Sequence, residues 1–255
     1  MQISFPSYGN RTAAVLGRRF LLAVQFLTRI PTPSAVKLDP AELSRSSVFF
    51  PLVGLIVGVA VALAAKFGAY INTPVAGLAG VLVWVLITGG LHLDGLGDVA
   101  DALGAAHGNP ERFQEVLRDP HAGSFAVIAI NLQIVAKLVL IISVAGRGSV
   151  WALAIIPAWA RWGALFWAHA VPPLRAGTGE RFSRDISLHS IAGWGLALAF
   201  ASAWIAPTLL AALLVVPGVA LYWRWRVGGI TGDCLGASIE VTESLLLLAL
   251  LIRHA

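Results

Sequence analysis

The chain has few charged residues and almost no cysteine. Only 12% of its 255 residues are charged, whereas soluble domains carry about 25%. Cys234 is the single cysteine, which excludes an intrachain disulfide and a thiolate metal cluster. The net charge is +5, but the basic residues lie in short segments between apolar runs, which argues against a nucleic-acid-binding face. No internal repeat or linker is visible, so we predict a single membrane domain over residues 1–255.

Apolar sequence dominates the chain. Hydrophobic residues make up 58% of it, and runs longer than the roughly 18 residues needed to cross hydrocarbon recur from residue 47 onward. This predicts an all-α, polytopic helical membrane bundle of about seven transmembrane helices. The predicted segments are 47–66, 74–91, 122–145, 150–171, 191–206, 208–223 and 237–252. Six spans are the alternative, in which Pro207 only kinks one helix over 191–216.

The N-terminal segment predicts an interfacial helix instead of a cleavable signal. Arg18 and Arg19 interrupt its apolar run, and no small-residue cleavage site follows. Phe20, Val24 and Leu27 recur at helical spacing beside these charges. That pattern is typical of a helix lying in the membrane interface.

Basic residues are divided unevenly between the two sides of the predicted bundle. Most lie before the first span or after the second, fourth and sixth, whereas the other side keeps mainly Lys66, Arg147 and Arg253. By the positive-inside rule the crowded side is cytoplasmic. The same segments carry the unusual polar motifs, which favours seven spans and predicts an active site facing the cytoplasm.

Three carboxylates share one helical face in the segment GGLHLDGLGDVADALG. Asp94, Asp98 and Asp101 are four and three positions apart, so a helix beginning at Asp94 places them within an arc of about 60°. Like charges at this spacing destabilise a helix unless a cation neutralises them. Mg²⁺ is a hard ion that prefers such oxygen ligands, so we predict a Mg²⁺ site here; the alternative is a solvated acidic face. His92 points elsewhere, as a capping or structural residue.

A second polar segment follows the acidic one. Asp119 and Pro120 are typical of an N-cap and a first helical residue, with Asp119 either this cap or a further metal ligand. The amides near Gly123 and Ser124 would then lie at the positive end of a helix dipole. We expect either a phosphate site there or an ordinary capped helix.

A third polar segment is the loop over residues 171–185. It places Arg175 and Arg181 beside glycines. Arginine next to flexible glycine suits a pyrophosphate contact, although the positive-inside rule alone also puts basic residues on this side.

Several charged residues fall inside predicted spans. Arg161 lies near the middle of the fourth span, where facing lipid costs at least about 2.5 kcal/mol, so it should face the interior and meet a protein carboxylate or a substrate phosphate. Asp233, Glu240 and Glu243 share one helical face near the last span. They complete the metal site, bind a substrate amide or ribose, or pair with Arg161.

Five motifs follow one another along the chain: FLTRIPTP (26–33), FFPLVGLIVG (49–58), GGLHLDGLGDVADALG (89–104), RDPHAGSFAV (118–127) and ITGDCLGASIEVTE (230–243). In this order they resemble the motifs of the adenosylcobinamide-GDP ribazoletransferase, or cobalamin synthase, family, the third and fifth being the most specific. The resemblance implies a Mg²⁺-dependent enzyme at the cytoplasmic face of the inner membrane. An enzyme of this family joins adenosylcobinamide-GDP to α-ribazole or its 5′-phosphate and releases GMP.

The resemblance also implies roles for the residues. Asp94, Asp98 and Asp101 would hold Mg²⁺ on the pyrophosphate, and one of them, Asp101 by preference, would accept the hydroxyl proton. Arg161 and one loop arginine would clamp phosphates. The implied partners are the two substrates and the lipid bilayer, with no nucleic acid; a homo-oligomer is left open.

Two other classes compete with this interpretation. A CDP-alcohol phosphotransferase also uses aspartates on membrane helices, but its pattern needs Ala-Arg soon after Asp-Gly, whereas Asp94-Gly95 is followed by LGDVAD. An ion-coupled transporter would use Arg161, Glu240 and Glu243 as midplane coupling residues. No inverted repeat supports a transporter, and the polar residues cluster at one face.

Overall fold

A computed structural model describes residues 8–32, 40–174 and 186–252, which are helical with short connections. In chain order the helices are α1 (Tyr8–Leu27), α2 (Pro40–Ser46), α3 (Phe50–Ala69), α4 (Thr73–Thr88), α5 (Leu91–Ala106), α6 (Pro110–Val116), α7 (Ser124–Gly146), α8 (Ile156–Ala170), α9 (Leu188–Ile205), α10 (Ala212–Arg226) and α11 (Gly232–Ala249). Short 3-10 turns precede α3, α8 and α10. The predicted all-α bundle is confirmed, and each predicted apolar segment lies on a helix.

By length and composition, the described residues contain five or six candidate membrane spans, against about seven predicted. Among the described residues, five helical segments are long and apolar enough to cross a membrane: Ala41–Ala69, Ser124–Gly146, Val150–Ala170, Leu188–Ile205 and Pro207–Arg226. α4 and α5 qualify together as a sixth, although they are bent by 87°. α11 does not qualify, because its three carboxylates lower its apolar character.

The alternative of one kinked helix over 191–216 is wrong. Ala206 is extended, with φ −159° and ψ 91°, and separates α9 from the 3-10 turn that begins at Pro207. Pro207 therefore starts a new helical segment, as proline commonly does, because it needs no backbone N–H there.

α8 lies at the centre of the bundle, and almost all of its residues are buried. Its indoles bind the surrounding helices. Trp159 Nε1 donates to Ser202 Oγ of α9 at 2.9 Å, and Trp167 Nε1 donates to the Val216 carbonyl of α10 at 2.8 Å. A buried indole N–H needs such a partner, so these bonds fix how α9 and α10 pack on α8.

α3 packs closely against the segment that contains α8. Gly54 and Gly58 face this crossing, and a Cβ on either would collide with the backbone at Pro157 or Ala154. Small residues let helix backbones approach in membranes, where packing drives association.

The outer surfaces of α9 and α10 are strongly apolar. Leu196, Phe200 and Trp204 of α9 are at least 70% exposed, as are Leu214 and Trp225 on α10. A soluble protein rarely exposes so much apolar surface, so these faces contact lipid.

α1 is amphipathic, in line with the predicted interfacial helix. Leu22 and Leu27 are buried, whereas Arg18 is exposed and Arg19 Nε lies 3.6 Å from a Glu42 carboxylate oxygen of α2. α1 is not among the segments that qualify as spans. Its position in the membrane interface stays a prediction.

The polar connections after α4, α8 and α10 meet at one end of the bundle, as predicted; we call it the polar end. The segment after α8 pairs with the one before α11: Leu174 N–H donates to the Ile230 carbonyl at 3.0 Å, and Ile230 N–H to the Pro172 carbonyl at 2.9 Å. α5 packs against both α11 and α7 at this end.

Candidate active site

Two glycines turn the chain from α4 into α5. Gly89 and Gly90 have φ values of 62° and 72°, a left-handed conformation that glycine adopts without strain. The Arg29 side chain lies directly over Gly89, where any Cβ would collide with it, and Arg29 N–H donates to the Ile87 carbonyl at 2.8 Å. The corner therefore carries α5 across the polar end and holds Arg29 next to its first turn.

Arg29 was not singled out from the sequence, where it counted only as one of many basic residues. In the described part of the chain no carboxylate lies within 4.0 Å of its guanidinium. A cation fixed over a backbone corner and lacking an ion pair is suited to bind an anionic ligand.

The predicted acidic face exists on α5. Asp94 is exposed, and Asp98 and Asp101 are half-buried on the same continuous helix. Asp233 joins them because the first turn of α11 packs on Gly95, where a Cβ would lie 2.9 Å from the Asp233 carbonyl oxygen. The carboxylates of Asp94, Asp233 and Asp101 all repel that of Asp98. We call these four residues the acidic cluster.

The Asp101 carboxylate binds the backbone at the start of α7. Its Oδ2 accepts from the Gly123 N–H at 2.6 Å and its Oδ1 from the Ala126 N–H at 3.0 Å. Asp101 therefore caps the N-terminus of α7, where a negative charge also suits the helix dipole. The expected phosphate position at Gly123 and Ser124 is thus occupied in part by a protein carboxylate.

The predicted N-cap at Asp119 is wrong. α7 begins at Ser124, and Asp119 instead closes a turn, its Oδ1 accepting from the His121 backbone N–H at 3.0 Å and lying 2.7 Å from His121 Nδ1. The hydrogen bond from the His121 ring lowers the pKa of Asp119. Because Asp101 supplies the cap from another helix, the segment between Asp119 and Ser124 stays outside α7.

The described residues contain no three His, Cys, Asp or Glu side chains placed to hold a metal ion by themselves. The three-aspartate ligand set is therefore not preassembled, since Asp101 is turned toward α7. Asp94 and Asp98, one helical turn apart, still fit Mg²⁺. This ion commonly keeps several waters and binds through one or two carboxylates plus substrate phosphates. Mg²⁺ stays a prediction.

Arg161 meets a protein carboxylate. Its Nη1 donates to Glu243 Oε1, and both side chains are fully buried. Lys137 of α7 lies 2.5 Å from Glu243 Oε2 and 2.7 Å from Glu240 Oε2, and Gln133 Nε2 donates to Glu240 Oε2 at 2.8 Å. Two cations and two carboxylates balance, which removes the cost of isolated buried charges. These five residues form what we call the ion network.

A cavity of about 560 Å³ opens beside the acidic cluster. Asp94, Asp233, Thr231 and His92 supply its polar lining, and the rest is mainly apolar. The Nδ1 atom of His92 also lies 3.3 Å from Nη2 of Arg161, so His92 connects the cavity with the ion network. His92 was expected to have only a capping or structural role, but it contacts both the cavity and Arg161.

The predicted residues fall into three groups. Asp94 and Asp233 line the cavity, Asp98 and Asp101 lie beside them, and the residues of the ion network are not among the lining side chains. Arg175 and Arg181 lie outside the described residues, so their phosphate contacts stay predictions. Sequence reasoning missed Lys137, although a single cation within the apolar run of α7 is a signal of a buried functional or paired charge.

The family profile described as cobalamin-5-phosphate synthase matches residues 19–251. The chain belongs to the cobalamin-5-phosphate synthase family. It is a transferase of cobalamin biosynthesis. Curated relatives named adenosylcobinamide-GDP ribazoletransferase include those of Thiobacillus denitrificans, 52% identical over 91% of this chain and 94% of the relative, and Laribacter hongkongensis, 49% identical over 91% and 95%. No solved structure matches this member of the family.

Proposed function

We propose that the chain transfers the adenosylcobinamide phosphate group from adenosylcobinamide-GDP to α-ribazole or its 5′-phosphate and releases GMP. The observation that carries this proposal is the match, over 91% of the chain, to relatives named for this substrate and this transfer. The acidic cluster beside a ligand-sized cavity supports it, because phosphoryl transfer depends on positioning and charge stabilisation. Neither a CDP-alcohol phosphotransferase nor a transporter has comparable support.

The reaction makes and breaks one bond at phosphorus. A hydroxyl oxygen of the acceptor attacks the phosphorus that carries the aminopropanol-linked corrinoid, and the bond from this phosphorus to the oxygen of GMP breaks. GMP leaves with the bonding electrons. The hydroxyl proton passes to a carboxylate that lines the cavity, for which we propose Asp233 in place of Asp101, because Asp233 is among the described lining residues and Asp101 is not.

We propose Mg²⁺ as the cofactor, with Asp94 and Asp98 as its protein ligands. When bound, it would neutralise the negative charge on the pyrophosphate and on departing GMP. Arg29, fixed beside the first turn of α5, is the proposed phosphate contact within the described residues. Arg175 and Arg181 are proposed to add further phosphate contacts.

We propose that the polar end lies at the cytoplasmic face of the inner membrane. Arg118 and Arg226 lie at this end, in the connection before α7 and in the last turn of α10, whereas Lys66 and Arg147 lie at the opposite ends of α3 and α7. The excess of basic residues marks the cytoplasmic side of bacterial membrane proteins.

The test is a direct assay of the full chain purified in detergent. Incubation with adenosylcobinamide-GDP, α-ribazole and Mg²⁺ should release GMP and form adenosylcobalamin in equal amounts, measured by chromatography and mass spectrometry. Omitting α-ribazole should abolish GMP release. Protein that binds Mg²⁺ but forms no product with either acceptor would contradict the proposal. A CDP-alcohol phosphotransferase would release CMP from a CDP-linked donor, and a transporter would accumulate solute in proteoliposomes without forming a product.

A further inference from the structure

The cavity beside the acidic cluster is small and largely apolar. Its volume of about 560 Å³ falls within the roughly 300–1,000 Å³ of pockets that enclose drug-sized ligands. Phe26 and Phe50 line it, with their rings stacked at a centroid distance of 5.9 Å and an interplanar angle of 19°. Asp94 and Asp233 supply carboxylates to the same cavity.

This size and lining distinguish between the two substrates of the proposed reaction. A corrin ring with its amide side chains, adenosyl group and GDP is much larger than a drug-sized molecule and polar over most of its surface. Ribazole is a benzimidazole nucleoside, so it combines a flat apolar base with one ribose. Resting on the proposed function, we infer that this cavity is the acceptor subsite, which encloses the aromatic base of the nucleoside and holds it by a hydrogen bond from His92.

The state of His92 follows from its contact with Arg161. A guanidinium has donors only, so the His92 Nδ1 atom, 3.3 Å from Arg161 Nη2, must be the acceptor. The proton of the neutral ring is then on Nε2. Nε2 makes no hydrogen bond with any part of the chain that the structure describes, and His92, 4% exposed, lines the cavity. Among the described residues, the Nε2–H of this cavity-lining side chain is therefore a donor without a protein partner, left for a ligand.

The ion network holds this arrangement in place. Arg161 is bound to Glu243, whose second oxygen contacts Lys137, so turning the guanidinium away from His92 would leave a buried carboxylate with one partner fewer. Losing a partner of a buried charge is strongly unfavourable. Arg161 is therefore a positioning residue that fixes the His92 tautomer.

An Nε2–H donor matches the chemistry of the nucleoside. The unsubstituted ring nitrogen of benzimidazole and the ribose oxygens are all acceptors. With the base against Phe26 and Phe50, the ribose lies toward Asp94 and Asp233, where its hydroxyl meets the donor phosphate. The much larger corrinoid then approaches from outside the cavity.

Steady-state kinetics with each substrate varied in turn test this assignment. Ala164 of α8 lines the cavity, so Ala164→Leu adds apolar volume inside it. The KM for α-ribazole should rise at least about tenfold, while the KM for adenosylcobinamide-GDP stays unchanged. Ala197→Leu makes the same change on the exposed side of α9 and should alter neither value.

His92 variants test the hydrogen bond itself. His92→Leu removes the donor, and the KM for α-ribazole should rise about tenfold, whereas His92→Gln keeps a side-chain N–H and should recover part of the loss. A merely structural role would lower kcat and raise both KM values together. Equal effects of the two variants on both substrates would therefore overturn the role of His92.

Other outcomes of these experiments also support or reject the acceptor subsite, and they do not all depend on one variant. A rise only in the KM for adenosylcobinamide-GDP, or no change in Ala164→Leu, rejects the acceptor subsite. If that variant does not fold, inhibition of the unmodified protein by free 5,6-dimethylbenzimidazole decides: competition with α-ribazole supports the subsite, and competition with the corrinoid substrate or no inhibition rejects it. Absence of GMP release from the unmodified protein contradicts the proposed function instead, and calorimetric titration with the free base then tests the cavity alone, saturable binding supporting it and no binding rejecting it.

Discussion

The Asp101 carboxylate accepts a 2.6 Å hydrogen bond from the backbone N–H of Gly123. This contact joins α5 to the start of α7 and assigns one of three aspartates on a shared helical face to the fold. Asp94 and Asp98 remain as the pair available to a ligand. The three aspartates are equivalent in the helical pattern, but they differ in role because only Asp101 faces the backbone at the start of α7.

Removing the cap should weaken the protein. Asp101→Ala leaves the N–H groups of Gly123 and Ala126 without their acceptor, so we expect the free energy of unfolding to fall by about 1 kcal/mol. Asp101→Asn should lose less, because its amide oxygen still accepts. Unfolding of the detergent-purified protein in denaturant measures both. Glu111→Ala removes an exposed carboxylate from α6 and serves as the control; an Asp101→Ala protein as stable as this control would contradict the capping role.

Neutralising the proposed metal ligands should affect turnover and not stability. Asp94→Asn and Asp98→Asn should each lower the rate of GMP release by about 10²-fold or more, since a charge-stabilising group is lost. Both proteins should fold at least as well as the parent, because a repulsion between carboxylates is relieved. Titration with Mg²⁺ should show a higher concentration for half-maximal activity. Full turnover of Asp98→Asn at low Mg²⁺ would remove it from the ligand set.

Breaking the ion network should be far more damaging than breaking a surface ion pair. Glu243→Gln leaves Arg161 buried with less compensation, and we expect a loss of about 3–5 kcal/mol in unfolding free energy. The double variant with Arg161→Gln restores the charge balance and should recover part of this loss. Glu42→Gln is the control, because Glu42 pairs with Arg45 at the surface, where such pairs contribute about 1 kcal/mol or less. Equal losses in the single and double variants would show that charge balance is not the cause.

The crossing of α5 and α11 offers a matched pair of glycine variants. Gly95→Ala places a Cβ 2.9 Å from the Asp233 carbonyl oxygen and should destabilise the protein by about 1–3 kcal/mol, with a drop in activity as Asp233 moves. Gly236→Ala, on the facing helix, meets its nearest atoms at 3.5 Å and should be close to neutral. Thermal unfolding and GMP release report both changes. A harmless Gly95→Ala would show that the helices can separate without consequence for the site.

The sequence was sufficient for the fold class and for the acidic face. Apolar runs of membrane length and the four-and-three spacing of Asp94, Asp98 and Asp101 are local signals, and the structure has helices at each predicted segment. Segment chemistry also predicted that three polar connections meet at one end. These features depend on periodicity and charge along the chain alone.

The remaining features depend on which helices become neighbours. Asp119 looked like a cap because it precedes a proline, but the cap of α7 comes from Asp101 on another helix. Glu240 and Glu243 lower the apolar character of α11, yet they are tolerated because Lys137 and Arg161 neutralise them inside the bundle. A pattern along one helix cannot reveal these pairings, because the partners lie on different helices.

The order of synthesis gives the ion network a consequence for assembly. Lys137 and Arg161 are translated before Glu240 and Glu243, since α7 and α8 precede α11 in the chain. Until α11 arrives, two cations are held among apolar helices without their counter-charges, each at a cost of at least about 2.5 kcal/mol if it contacts hydrocarbon. The packing of α11 therefore supplies the counter-charges that the two earlier helices lack, so the interior of the bundle is neutral only when the last helix is in place.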